Sequence, residues 1–372
     1  MFTTTEVNKF NITRDPDDNI TPTEKLGVII VVCYILFVPL LYAWKKFRIW
    51  RENIKIIAND STFEIENAEE PQVQWGTLGQ INMDPMSIIK RLVQSEVSMK
   101  DVKIGQLIEI GRTVRVFKAR LVDEGVSKIV ALKMLQEGVS DKDYRLMNAK
   151  IRFFSTRKLD HPNVVKFIGA IKDDEKYGPC MLFELCRRSV REWLEDCRAP
   201  LNKDTLLQMT EFPLQIAKGM RYLSDQKAIH KRLAARNVLL NSVLQAKVGC
   251  FGPRHKDKIS HHFQRERMPI QWFAPESLAE MNTYSTESDV WSFGVTVWEI
   301  FTLGDLPYIN YNNRELIDLL KEGFRLRKPT YADSRFYDIM KSCWKMKPSN
   351  RPTFSTLVIE LTNLRDLPST TE

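Results

Sequence analysis

Cysteine is scarce and scattered in this 372-residue chain. The six residues, Cys33, Cys180, Cys186, Cys197, Cys250 and Cys343, form no CxxC pair and no Cys/His metal spacing. That excludes a disulfide-stapled module and any common structural zinc site, and it suits reduced thiols in the cytosol. Glycine (15) and proline (17) are too few for collagen. With 43% hydrophobic and 27% charged residues, a wholly disordered chain is excluded as well. Neither sign of charge is missing: 55 basic and 47 acidic residues leave +8, with a pI near 9.0. Such an excess fits a nucleic-acid or membrane-surface binder, so where it sits matters more than its sum.

Charge is absent from one place. The 19 residues from Leu26 to Trp44 carry none, although the mean hydropathy of the whole chain is only −0.30. About 20 such residues cross a bilayer as a helix. A buried core helix is the alternative, and such helices rarely run this long without a polar face. Lys45, Lys46, Arg48, Arg51 and Lys55 follow immediately, whereas residues 1–25 hold three basic and five acidic side chains. The positive-inside rule therefore predicts a single-pass protein of the plasma membrane, N-terminus outside, with the remainder cytosolic. No apolar run precedes residue 26, so the span is expected to act as a signal-anchor. The basic residues of 45–55 are expected to touch anionic lipid head groups. Asn11-Ile12-Thr13 and Asn19-Ile20-Thr21 read as N-glycosylation sequons, the second weakened by Pro22. Residues 1–25 are too few for a ligand-binding domain.

Residues 45–101 read as a juxtamembrane segment, first basic and then acidic around Glu64, Glu66, Glu69 and Glu70. From about Val102 the texture changes. Leu107–Ile110, Arg115–Ala119 and Ile129–Lys133 read as strands. After Asp204, Phe212, Ile216, Met220 and Leu223 recur at helical spacing. Strands followed by helices predict an α+β domain in two lobes.

Several motifs then fall in a fixed order: Val130-Ala131-Leu132-Lys133, His230-Lys231-Arg232-Leu233-Ala234-Ala235-Arg236-Asn237, Cys250-Phe251-Gly252, Ala274-Pro275-Glu276, Ser288-Asp289-Val290-Trp291, and Arg351. Residues 102–365 resemble a protein kinase domain, and LAARN with PIQWFAPESL resembles the receptor tyrosine kinase branch. The resemblance implies a bilobal fold with a small β-rich N-lobe and a larger helical C-lobe, and leaves 366–372 as a tail. It also implies nucleotide contacts at Lys133, Gly111, Val116, Ala131, Asn237 and Leu239. His230 and Phe251 would join an apolar stack between the lobes. Glu276 and Arg351 would form a buried ion pair, and Asp289 would hold the catalytic-loop backbone.

Phosphoryl transfer needs a lysine held by a glutamate, magnesium bound by an aspartate, and an aspartate to take the substrate's proton. The chain departs from this at four places. Of the three glycines of the phosphate loop, aligned on Val116, only Gly111 remains, with Glu109 and Val114 at the others. Counting back from Asp160-His161-Pro162-Asn163 puts Arg152, or Asn148 with one more helical turn, where the glutamate should face Lys133. Lys133 then reads either as a nucleotide contact or as a lysine left on a strand. Arg232 stands at the base position, and a guanidinium cannot act as a base. Cys250 stands at the metal position, where a soft thiol does not suit magnesium. A small buried thiol is the expected reading of Cys250, with a redox site beside Arg254 and Lys256 as the alternative.

No tyrosine lies between Cys250 and Glu276, and none in the juxtamembrane segment or tail. Phe263 lies where this branch usually carries a tyrosine. The segment instead holds Arg254, Lys256, Lys258, Arg265 and Arg267 with His255, His261 and His262, a solvated basic loop or a dock for an acidic or phosphorylated partner. The expected function is that of a single-pass membrane pseudokinase, binding an active membrane or cytosolic protein kinase as a scaffold or allosteric partner, as in a heterodimer. The alternative is a weakly active transmembrane kinase moving the ATP γ-phosphate to protein tyrosine. No cofactor is expected to be required, ATP binding is expected to be weak and independent of magnesium, and nucleic acid is not an expected partner.

Overall fold

Alternation with a period of two builds the first part of the domain. In the computed structural model, which describes residues 96–123, 126–172, 174–197, 201–254, 270–279, 283–311 and 313–366, β1 (Val102–Ile110), β2 (Val114–Asp123) and β3 (Val126–Leu135) form an antiparallel meander. Val130, Leu132 and Met134 point into the core of this lobe at 0–3% exposure. Ala131 and Lys133 necessarily face the other way. Helix α1 (Asp141–Arg157) follows, started by a Ser140–Asp143 capping box and ended by Lys158 at φ 45°. Strands β4 (Phe167–Ile171) and β5 (Cys180–Glu184) complete a five-stranded sheet in the order β1-β2-β3-β5-β4. The strands outrun their apolar cores, so β2 and β3 extend well past Arg115–Ala119 and Ile129–Lys133.

The rest is mainly helical. After the short β6 (Arg188–Ser189) come α2 (Val190–Asp196) and α3 (Lys203–Asp225). Phe212, Ile216, Met220 and Leu223, singled out by their spacing, are all at most 1% exposed on α3. Strands β7 (Val238–Leu240) and β8 (Ala246–Val248) pair with β6 in a small second sheet. Helices α4 (Pro275–Ala279), α5 (Thr286–Phe301), α6 (Asn313–Lys321), α7 (Ser334–Cys343) and α8 (Phe354–Asp366) close the lobe. Helix α5 is its axis, buried nearly all round. Gly294 lets the α7 terminus approach: a Cβ there would lie 2.7 Å from Trp344 Nε1 and 2.8 Å from Cys343 Cβ. The expected two-lobed α+β architecture is therefore present.

No described helix is long and apolar enough to cross a membrane. The span expected at 26–44, the sequons at Asn11 and Asn19 and the basic run 45–55 lie outside the described residues, as do residues 255–269 of the basic segment.

Candidate functional site

The floor of the cleft between the lobes hangs from one buried carboxylate. Asp289 on α5, 2% exposed, accepts the backbone N–H of His230 at 2.6 Å and of Lys231 at 2.8 Å. Burial pushes its carboxyl up to about 7, against the pull of those two donors. Lys231 is thereby held at φ 70°, a left-handed conformation that costs a lysine about 1–2 kcal/mol. The His230 ring donates from Nε2 to Gly249 O at 2.9 Å and accepts the Arg232 N–H at Nδ1. Burial lowers it to about 3, so the ring is neutral with its proton on Nε2. Its face lies 5.9 Å from the Phe251 ring, which lies 5.2 Å from Phe154 on α1. Phe251 thus connects the catalytic loop to the upper lobe through an unbroken apolar stack.

A second carboxylate, which motif reading passed over, braces the next turn. Glu299 on α5 accepts from Ala235 N at 2.9 Å and Trp272 Nε1 at 2.7 Å, and the Arg236 guanidinium stacks 4.1 Å over the Trp272 ring. Farther out, Arg351 and Glu276 form a bidentate pair at 2.6 and 2.8 Å. Arg351 also donates to the carbonyls of Lys345, Glu287 and Met346, and its side chain is fully buried. At the back of the cleft the buried Lys247 meets Glu184 at 2.9 Å. Asp289, Arg351 and Lys247 thus have their partners, while Glu299 is satisfied at Oε2 and its Oε1 is buried without a hydrogen bond among the described residues.

The upper wall is simpler. Val116 pairs with Lys133 across β2 and β3, placing it with Ala131 and Lys133 in one small patch. Gly111 starts the three-residue turn between β1 and β2, donates to Val114 O at 2.8 Å, and its carbonyl accepts from the Gln136 amide. Leu239 is half-buried on β7.

Two expectations need correction here. The residue of α1 whose charge feels Lys133 is Lys150, which lies between the two counted positions, Asn148 and Arg152. Met147, Ile151 and Phe154 are the buried stripe of α1, and Lys150 lies on that inward side while Arg152 is exposed. Among the described residues, the charges acting on Lys150 are those of Lys133, Cys250, Arg232 and Arg254, with no carboxylate among them. Burial, with the neighbouring Lys133 charge, lowers its ammonium to about 8. The counting missed it because α1 runs on to Arg157 before Lys158 turns the chain, which lengthens the path to Asp160. The second correction concerns Cys250, which is exposed rather than buried. It sits at φ 62°, in a left-handed conformation that Asn or Asp tolerates better than Cys.

These groups do not suit magnesium. Asn237 donates its amide to Arg232 O at 2.6 Å, Arg232 occupies the neighbouring position, and Cys250 offers sulfur. No group of three or more His, Cys, Asp or Glu side chains among the described residues is placed to hold a metal ion. The Arg232 Nε is buried without a hydrogen-bond partner. Among the described residues neither Lys133 nor Lys150 has an ion pair, so the site gathers cations without the acids that phosphoryl transfer uses.

A family model for protein tyrosine and serine/threonine kinases matches residues 102–361. A fibroblast growth factor receptor of Hydra vulgaris is 33% identical over 292 residues, which take in 74% of this chain and 35% of that receptor. Fibroblast growth factor receptor 1 of Xenopus laevis is 36% identical over 260 residues, 65% of this chain and 31% of the relative. The chain therefore spans about a third of the length of these curated relatives. With two lobes, an intact catalytic-loop scaffold and this match over the whole domain, the chain belongs to the protein kinase family and carries a domain of tyrosine kinase type homologous to fibroblast growth factor receptors.

Proposed function

We propose that the chain is a membrane-anchored pseudokinase of the receptor tyrosine kinase type, whose kinase fold works by contact rather than by phosphoryl transfer. The observation that carries this reading is the placement of Lys150 opposite Lys133. It adds a second ammonium where the reaction needs a carboxylate to orient the first, beside Arg232 and Cys250 at the base and metal positions. Loss of a positioned general base alone costs about 10²–10⁴ in rate. Three further losses at separate requirements leave little chemistry to tune. The scaffold is complete meanwhile, and a folded domain without chemistry is suited to docking.

The partner that fits is an active kinase at the same membrane, engaged as scaffold or allosteric heterodimer. Anchoring through residues 26–44, with 45–55 against anionic lipid, would confine both proteins to two dimensions and raise their effective concentration without new contacts. Proximity labelling in the native membrane tests this, with a chain lacking residues 102–365 as control. The expected result is labelling of an active kinase that disappears with the deletion. Labelling of kinases that is indifferent to the deletion would sink the reading.

A further inference from the structure

Lys133, Lys150 and Arg232 converge on the cleft from three separate elements: a strand of the upper sheet, helix α1 and the catalytic loop. Arg254 adds a fourth positive charge to the same field and donates to Lys231 O at 3.4 Å. Among the described residues no carboxylate pairs with either lysine, and the Arg232 Nε is buried with no acceptor. Like charges gathered in a partly desolvated cleft repel one another, and no carboxylate among the described residues offsets the cost. The buried cations elsewhere behave differently, as Lys247 has Glu184 and Arg351 has Glu276. Two lysines without a carboxylate partner among the described residues, beside a guanidinium whose Nε has no acceptor, are complementary to a ligand carrying several negative charges within a few ångströms.

We infer that the cleft binds an oligophosphate chain in its metal-free form, with the Lys133 and Lys150 ammoniums and the Arg232 guanidinium in the place that magnesium would take. The linear di- or triphosphate group supplies the required charge density, and ammonium and guanidinium donors bind phosphoryl oxygens through charge-assisted hydrogen bonds. Magnesium should oppose binding. It neutralises part of the ligand charge and carries its own charge toward three cations with no acid between them. The phosphate chain, more than the base, should determine affinity. The inference deepens the pseudokinase reading and rests on it, but the two fail separately. Phosphotransfer to peptide would defeat that reading, whereas binding promoted by magnesium without transfer would defeat only the metal-free site.

The test is calorimetric titration of the purified full-length chain with ATP, ADP, AMP, adenosine and inorganic tripolyphosphate, each in EDTA and in excess magnesium. The expected order in EDTA is triphosphate over diphosphate over monophosphate, with adenosine silent. Tripolyphosphate should match ATP within about threefold, and magnesium should weaken both about tenfold. Lys150→Met should weaken tripolyphosphate about tenfold in EDTA while raising the melting temperature of the ligand-free protein, which shows that the variant is folded. Adenosine binding as well as ATP would give the site to the base instead of the phosphates. Magnesium-dependent binding, silence of the whole series, or a folded Lys150→Met variant that binds like the wild type would each overturn the inference. Should Lys150→Met fail to fold, the comparison of EDTA with magnesium on the wild-type chain decides alone.

Discussion

Two sets of charges lie within one domain, one buried beneath the catalytic loop and one half-buried in the cleft, and they differ in how they are partnered. Around α5, Asp289 and the Glu276–Arg351 pair meet their donors and acceptors, and Glu299 meets two donors at Oε2 while its Oε1 is buried without one among the described residues. In the cleft above, Lys150 lies in the field of Lys133 and Arg232, and no carboxylate among the described residues pairs with either lysine. The first set shows what the fold requires, because removing the partner of a buried charge costs several kcal/mol. The second shows what the fold can do without. A kinase fold survives inversion of its cleft charge provided that the charges under the catalytic loop stay paired.

Breaking the lower set should have the largest effect. Arg351→Ala strands the Glu276 carboxylate and frees three carbonyls, and should lower the stability of the domain by about 3–5 kcal/mol in urea unfolding. Asp289→Asn keeps the shape but replaces one acceptor oxygen with a donor, leaving the His230 or Lys231 N–H unpaired. A loss of about 1–3 kcal/mol is expected. Its hydrogen-exchange signature should be fast exchange confined to the loop from His230 to Asn237.

The upper set should respond with the opposite sign. Lys150→Met removes a half-buried cation that no carboxylate among the described residues offsets and should stabilise the ligand-free chain by about 1–2 kcal/mol at pH 7. The pH dependence follows from a folded pKa of about 8 beneath the ordinary 10.5. Below pH about 8 the lysine is charged in both states, and the folded protein bears the full penalty. Between 8 and 10.5 only the unfolded chain gains the proton, so wild-type stability climbs and the advantage of the variant fades. Chemical unfolding at pH 7 and pH 10 would register that convergence. The smallest change is expected at Cys250. Cys250→Asn relieves the left-handed backbone at φ 62° and should gain up to about 1 kcal/mol, read as a small shift in the unfolding midpoint.

Much of this was legible in the sequence, for different reasons at different places. Strands β1 to β3 and helix α3 announced themselves by the periodicity of Val130, Leu132, Phe212 and Ile216. The catalytic-loop and ion-pair residues were found by motif order, since Arg232, Cys250, Asp289 and Arg351 stand at fixed offsets from one another. Lys150 was not found, because its position was counted across a helix terminus, and one cap at Lys158 was enough to shift the count. The stripe of Met147, Ile151 and Phe154 carried the signal, since a lysine between buried positions at helical spacing points inward. Glu299 belongs to no counted motif. It emerges only when Ala235 N and the Trp272 indole, far apart in the chain, converge on it. Neither the exposure of Cys250 nor its left-handed backbone is announced by its residue type.

The central claim is that the inverted charge of the cleft has ended catalysis while the scaffold persists. Transfer of labelled γ-phosphate from ATP to tyrosine peptides tests it most directly, using the full-length chain made in cells lacking related kinases, with Lys133→Ala beside it. The expected result is no transfer above the Lys133→Ala control, with magnesium or without. Magnesium-dependent transfer that Lys133→Ala abolishes would contradict it.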